Sequence, residues 1–188
     1  MPTTTQGLRA EHASLAAEQI LDAAGALFAE HGVAAVAMAD VATAAGCSRA
    51  TLYRYFDSRD ALRSAYVHRE ARRIGAEVAR GLGAEDEPRD RLVRAMAESL
   101  RLVREDSTLA AWFTAGDAGA TARLAQSSAV IETLVARFLG DGEDPETRRR
   151  ARWVVRVLVS LLAQPEADGD DERHVLEQFV APVVVGQG

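Results

Sequence analysis

Between Ser48 and Arg59 the chain gathers side chains suited to a nucleic-acid duplex: Arg49, Arg54 and Arg59, the hydroxyls of Ser48 and Thr51, and the phenols of Tyr53 and Tyr55. At about 100° per residue along a helix, Leu52 and Phe56 fall on one side, and Ala50, Thr51 and Arg54 fall toward the other. Such a segment packs by its apolar side while an arginine fork and a threonine face base edges and the phenols reach phosphates. The same residues could equally form the plain surface of a small bundle. The elements around them decide between these readings.

Met38, Val41, Ala42 and Ala45 share a helical face, which predicts a short helix over 38–45 that stops at Gly46. Ser48 then offers an N-cap oxygen to a helix over 49–56. Two short helices around a glycine-containing turn are the pattern of a helix-turn-helix. Upstream, Ile20, Ala24, Leu27 and Phe28 repeat at helical spacing from Leu15 onward, and Gly32 sits where a left-handed cap is needed. Met1 to Ser14 is polar and reads as a flexible tail. Asp57 and Ser58 interrupt the pattern before a long helix expected over 59–82.

Composition bounds the alternatives. The 188 residues are 48% hydrophobic and rich in Ala, Leu, Arg and Glu, which predicts an all-α chain. Formal net charge is −6, so any contact with nucleic acid must be local. Residues 46–73 supply the place, with seven arginines to three acids. Every one of the 22 basic residues is arginine, on all segments alike. The single cysteine, Cys47, excludes an intramolecular disulfide framework and fits a reducing cytoplasm. It reads as a small packing residue, with redox sensing as the alternative. The start resembles no signal peptide, and the apolar run Val154 to Ala163, broken by Arg156, is too short to span a bilayer. The histidines His12, His31, His68 and His174 are scattered, and no nucleophile elbow or phosphate loop occurs. No enzyme activity, cofactor, metal or membrane contact is expected.

The longer string resembles the N-terminal domain of the TetR family of regulators. The residues that carry it are Ile20, Ala23, Ala24, Leu27, Phe28 and Gly32; Asp40, Val41, Ala42, Ala44, Ala45 and Gly46; and Ser48, Thr51, Leu52, Tyr53, Tyr55, Phe56 and Leu62. The resemblance implies a third helix that enters the major groove, with Ser48, Arg49, Ala50, Thr51, Tyr53, Arg54, Tyr55 and Arg59 as its DNA-binding residues. Tyr53 and Tyr55 stand where the family usually touches phosphate, and Arg59 replaces a phosphate-binding lysine. Val36 and Ala37 replace a Thr-Ser pair that commonly opens the second helix, and Ala39 replaces a frequent cation. The arm before the first helix offers little beyond Arg9 and His12. With fewer cations to release counterions, a shallow salt dependence is expected.

Domains are expected at 1–14 (tail), 15–62 (helix-turn-helix) and 63–188 (a larger helical ligand-binding and dimerisation domain), with about nine helices in all. Glycines, prolines and the acidic stretch Glu85 to Glu87 place the later helices near 89–104, 107–115, 120–139, 145–163 and 170–180, with an acidic loop over 164–172. By fold analogy the later helices enclose an effector cavity and pair with a second copy. Met96, Leu100, Trp112, Phe113 and Phe138 are its apolar candidates, with Ser99, Arg101, Thr114 and Gln126 as polar anchors. The segment 145–163 is apolar on more than one side, so Trp153, Val154, Val157, Leu158 and Leu161, with Val175 and Phe179, are the candidate dimer contacts. The expected partners are a double-stranded operator, a second copy and an unidentified, largely apolar small effector. A helical carrier or interaction dimer with a vestigial helix-turn-helix is the alternative.

Overall fold

The computed structural model describes residues 4–83, 87–114 and 118–186, which fall into two compact units that divide after Val67. The described residues are helical, with no strand among them. Glu85 and Asp86 of the expected acidic loop lie outside them, as do Met1 to Thr3 and the side chains of Arg9 and His12.

In the first unit, α1 (Thr4–His31), α2 (Met38–Ala44) and α3 (Arg49–Tyr55) lead into α4 (Arg59–Gly81). α1 starts well before Leu15, so the expected tail is corrected to helix. Leu8, Arg9, Ala10 and Glu11 are good helix formers, and helix propagates along such residues without needing a buried face. Ile20, Leu21, Ala24 and Phe28 of α1 are buried, together with Val33, Val36, Met38, Val41, Ala42, Leu52, Phe56, Leu62 and Tyr66. The Tyr66 ring meets Phe28 edge-on at 5.4 Å and 83°. This is why the unit extends to Val67 rather than stopping at the expected Leu62.

The turn after α2 follows from its sequence. Gly46 takes φ +65, its N–H donates to the Thr43 carbonyl (3.1 Å), and the Cys47 N–H donates to the Ala42 carbonyl (3.0 Å). This pair of bonds is a Schellman motif, which needs the left-handed residue that only glycine adopts without strain. Cys47 occupies the position after that glycine and is half-buried.

The second unit contains α5 (Pro88–Glu105), α6 (Ser107–Ala110, continued by a 3₁₀ turn over 111–113), α7 (Ala118–Ser127), α8 (Ala129–Leu139), α9 (Pro145–Ala163), α10 (Gly169–Val175) and α11 (Ala181–Val185). A five-residue π turn, Leu176–Val180, joins the last two helices. The expected single helix over 120–139 is two helices. Ser128 leaves helical geometry at ψ 109, and its Oγ accepts the Ile131 N–H (3.2 Å), which starts α8 afresh. The expected helix over 170–180 likewise changes winding. The Ala181 N–H reaches back to the Leu176 carbonyl, and Pro182 has no N–H with which to restore the α pattern.

The core of this unit joins Leu92, Val93, Met96 and Leu100 of α5 to Val154 and Leu161 of α9 and to Leu176, Val180, Ala181 and Val184. A smaller cluster joins Ala125, Val155 and Val159, with Phe113 and Ile131 against it. α9 therefore spends two sides inside its own subunit. At its end, buried Glu172 receives both guanidinium nitrogens of Arg104 (3.1 and 2.5 Å), and Arg104 also donates to the Leu161 carbonyl (3.0 Å). Burial of the carboxylate is affordable only because it is matched this closely. The acidic stretch 164–172 is shorter as a loop than expected. Asp168 caps α10 through the N–H groups of Asp170 and Asp171 (both 2.9 Å), and the acids that follow suit the helix N-terminus.

Candidate nucleic-acid interface

α3 is seven residues long, too short to persist alone, so its orientation is set by what it buries. Leu52 is fully enclosed and Phe56, its C-terminal neighbour, nearly so. On the far side Arg49, Ala50 and Arg54 are exposed, Tyr53 is 49% exposed, and Thr51 and Tyr55 are half-buried. Ser48 performs the expected capping. Its Oγ accepts the Thr51 N–H (3.0 Å) and lies 2.9 Å from Thr51 Oγ1. The two hydroxyls are thus engaged with each other.

The guanidinium of Arg54 lies over the Tyr55 ring, 5.3 Å from its centroid. That is within reach of a cation–π contact. Arg59 is exposed on the first turn of α4, and its Nη1 donates weakly to the Ala34 carbonyl at 3.4 Å. One turn on, Arg63 Nη2 donates to the Val33 carbonyl. Sequence reasoning passed over Arg63. Its spacing of four from Arg59 was the available signal, since both then face the connection between α1 and α2.

At the start of α2 the structure explains the departures from the family pattern. Val36 is buried at 3% exposure and belongs to the core. Ala37 occupies the N-cap with extended backbone (φ −96, ψ 158) and no side-chain acceptor. Only half of a capping box remains, the Asp40 carboxylate accepting the Ala37 N–H at 3.0 Å. The Oγ1 of Thr43 is turned onto its own helix at the Ala39 carbonyl (3.0 Å).

In the second unit the candidate effector residues divide. Met96 and Leu100 are buried in the main cluster, with Phe138 against it, while Phe113 packs on the smaller one. Trp112 is buried, its carbonyl accepting from Thr121 Oγ1 (2.6 Å). The polar anchors do not converge. Arg101 is exposed and ion-paired with Glu98 (2.6 Å) and Glu105 (2.5 Å), and Ser99 and Thr114 turn onto the Ala95 and Ala111 carbonyls of their own helices. Gln126 lies with Ser128, Glu132, Arg152 and Arg156 on a recess of about 20 Å³, room for a water and no more.

Of the candidate dimer contacts, Val154 and Leu161 are corrected to core positions. They are 2% and 5% exposed within a single chain, because α9 runs between two clusters. Val157, Leu158 and Val175 are half-buried, whereas Trp153 at 40% and Phe179 at 64% exposure stand open, as does Val183, four residues after Phe179, at 64%. His68, at the start of this unit, places Nε2 2.8 Å from Ser128 Oγ. Burial lowers its pKa from the ordinary value, and the charge of Arg72 lowers it further. Among the described residues there is no cluster of three metal-ligating side chains, and no helix is long and apolar enough to cross a membrane.

Residues 20–66 match the family model of bacterial regulatory proteins, tetR family. An HTH-type transcriptional regulator of Mycobacterium tuberculosis, itself uncharacterized, is 50% identical over 183 residues, covering 96% of this chain and 91% of that protein. The HTH-type transcriptional repressor KstR of the same species is 32% identical over 150 residues, covering 77% of this chain and 68% of its own. Among solved structures, the TetR family repressor AlkX from Dietzia aligns with TM-score 0.65 at 25% identity, covering 89% of this chain and 96% of AlkX. RolR with bound resorcinol aligns with TM-score 0.71 at 20% identity, covering 95% and 91%, which bears on the fold alone. A helix-turn-helix whose third helix turns Arg49, Tyr53 and Arg54 outward, in a chain half identical along nearly its whole length to such a regulator, belongs to the TetR family of transcriptional regulators.

Proposed function

We propose that the chain is a ligand-responsive repressor that binds a palindromic operator as a homodimer through α3. The observation that carries this is the division of α3 into a buried side, Leu52, and an open side bearing Arg49, Tyr53 and Arg54. Ser48, Ala50, Thr51, Tyr55 and Arg59 complete the DNA-binding set, and Ser48 also acts as the helix cap. One seven-residue helix buries too little surface to select a site, so two copies are required, each reading a half-site. Of the candidate contacts, Trp153 and Phe179 are exposed and available for pairing.

The effector is a small, largely apolar molecule acting in the cytoplasm. The likeness to AlkX, which is implicated in biodegradation of n-alkanes, supports that class. Repression is supported by the relation to KstR. α4 runs unbroken from Arg59 past the division after Val67, so a ligand that favours one arrangement of the second unit has a direct path to the reading helix.

Selection of bound duplexes from a random pool tests the reading. A palindromic winner, bound by a dimer and weakened by Arg54→Ala while the dimer persists, is the expected result. A dimer that enriches no sequence would favour a carrier with a vestigial helix-turn-helix. Because Ala37 and Ala39 contribute no charge or hydroxyl, the salt dependence should be shallow. A slope as steep as about eight phosphate contacts would contradict it.

A further inference from the structure

The contact between Arg54 and Tyr55 carries a division of labour within the reading helix. Neighbouring residues on a helix leave it about 100° apart and do not ordinarily face each other. Arg54 nevertheless carries its guanidinium round to lie over the Tyr55 ring, 5.3 Å from the centroid, while Tyr53 on its other side stands 49% exposed. Tyr55 is half-buried, so its ring has few choices of position, whereas an exposed arginine has many. A fixed ring beneath a mobile guanidinium narrows the arginine before any DNA arrives, and a planar fork held in one plane is what the two acceptors of a guanine edge require.

We propose that Tyr55 is a positioning residue for base readout: its ring aligns the Arg54 guanidinium, which then reads one guanine in each half-site. This rests on the DNA-binding reading above and refines it. It differs from the role that family resemblance implies for Tyr55, a hydroxyl contact to phosphate. The ring aligns the arginine whether or not the hydroxyl also meets a phosphate.

The two roles separate experimentally. The full-length chain and its variants are measured by competition anisotropy against the selected operator and against operators changed symmetrically at each position, at several salt concentrations. Tyr55→Phe keeps the ring, so base preference should stay within about twofold of the parent, and any affinity lost with the hydroxyl should be lost equally on all duplexes. Tyr55→Leu should relax discrimination by about two- to fivefold, the size of an exposed cation–π contact, at the one base pair that Arg54→Ala also relaxes. The double variant should be no more permissive there than Arg54→Ala alone.

A second measurement uses free protein and survives any effect on dimer or operator. The Arg54 δ-methylene protons should be ring-current shifted upfield in the parent and in Tyr55→Phe, and return toward random-coil values in Tyr55→Leu. Relaxed base preference in Tyr55→Phe to the extent seen in Tyr55→Leu would overturn the proposal. So would relaxation by Tyr55→Leu and Arg54→Ala at different base pairs, an additive double variant, or unshifted Arg54 protons in the parent. A parent chain that binds no duplex would overturn the DNA-binding reading as well, which distinguishes the two failures.

Discussion

His68 and Gly25 show how single residues tie the chain's helices to one another. His68 Nε2 meets the hydroxyl that caps α8, since Ser128 Oγ also accepts the Ile131 N–H. Burial and the Arg72 charge both depress the His68 pKa below the ordinary 6.5 of a free imidazole, so the folded state prefers the neutral ring. The unfolded chain then takes up the proton first. The contribution of His68 to stability is complete above pH 6.5 and is lost as pH falls from there through the lowered folded value. Thermal melts between pH 7 and 5 should show a fall in midpoint that is smaller in His68→Gln; equal falls would sink the assignment. At Gly25 an added Cβ would lie 2.8 Å from Tyr66 Cε2, on a ring that is 1% exposed and held against Phe28. Alanine gains helix propensity of roughly 0.5–1 kcal/mol but overpacks the contact by about 1–3 kcal/mol, so Gly25→Ala should destabilise by about 1 kcal/mol in denaturant titration. A more stable variant would show that the ring yields freely.

Among the elements, the second helix is the one whose sequence leaves most to gain. Ala37 already has the extended backbone of an N-cap and lacks only the oxygen, so Ala37→Ser should raise stability by about 1 kcal/mol. If that hydroxyl also meets phosphate, as the family pattern implies, affinity for operator rises as well. Urea melts and anisotropy would read the two effects separately, and no gain in either would mean that Asp40 alone satisfies the helix start. The bounds of α2 and α3 were legible within a residue because Gly46 and Ser48 are unambiguous signals of stop and start. The break at Ser128 was not, because an Ala- and Ser-rich run contains neither glycine nor proline there and periodicity passes through it. The same limit applies on α9. Spacing identified an apolar helix, but whether Val154 or Trp153 faces solvent depends on which clusters lie beside it, and that is tertiary information. The open face of α3 was readable for the opposite reason, since one buried side defines the other. Convergence of Ser99, Arg101, Thr114 and Gln126 could not be judged without knowing which way their separate helices turn.

At the scale of the molecule, the helix caps are distributed unevenly. In the first unit the side chains that cap α3 and α4 are hydroxyls, Ser48 to Thr51 N–H (3.0 Å) and Ser58 to Ala61 N–H (3.1 Å), with the Asp40 carboxylate taking only the Ala37 N–H ahead of α2. Apart from the Ser128 hydroxyl on α8, the second unit relies on carboxylates: Asp106 accepts from Thr108 (3.0 Å), Asp144 from Thr147 (2.7 Å), and Asp168 caps α10. Burial works against the Asp106 charge, yet the Thr108 hydroxyl and N–H and the charge of Arg73 hold its pKa below the usual carboxylate range. Hydrogen bonds from the Thr147 N–H and hydroxyl do the same for Asp144. Their contributions are present above the ordinary carboxylate value of 3.8 and disappear as pH falls through the lowered values, whereas a serine cap has nothing to protonate. Acid should therefore loosen the second unit before the first. The chain carries its own labels for that experiment, because Trp112 and Trp153 both lie in the second unit and Tyr53, Tyr55 and Tyr66 all lie in the first. An acid titration followed by tryptophan and tyrosine absorbance would give two separated transitions, tryptophan at the higher pH, turning a choice of capping residue into a spectroscopic order of events.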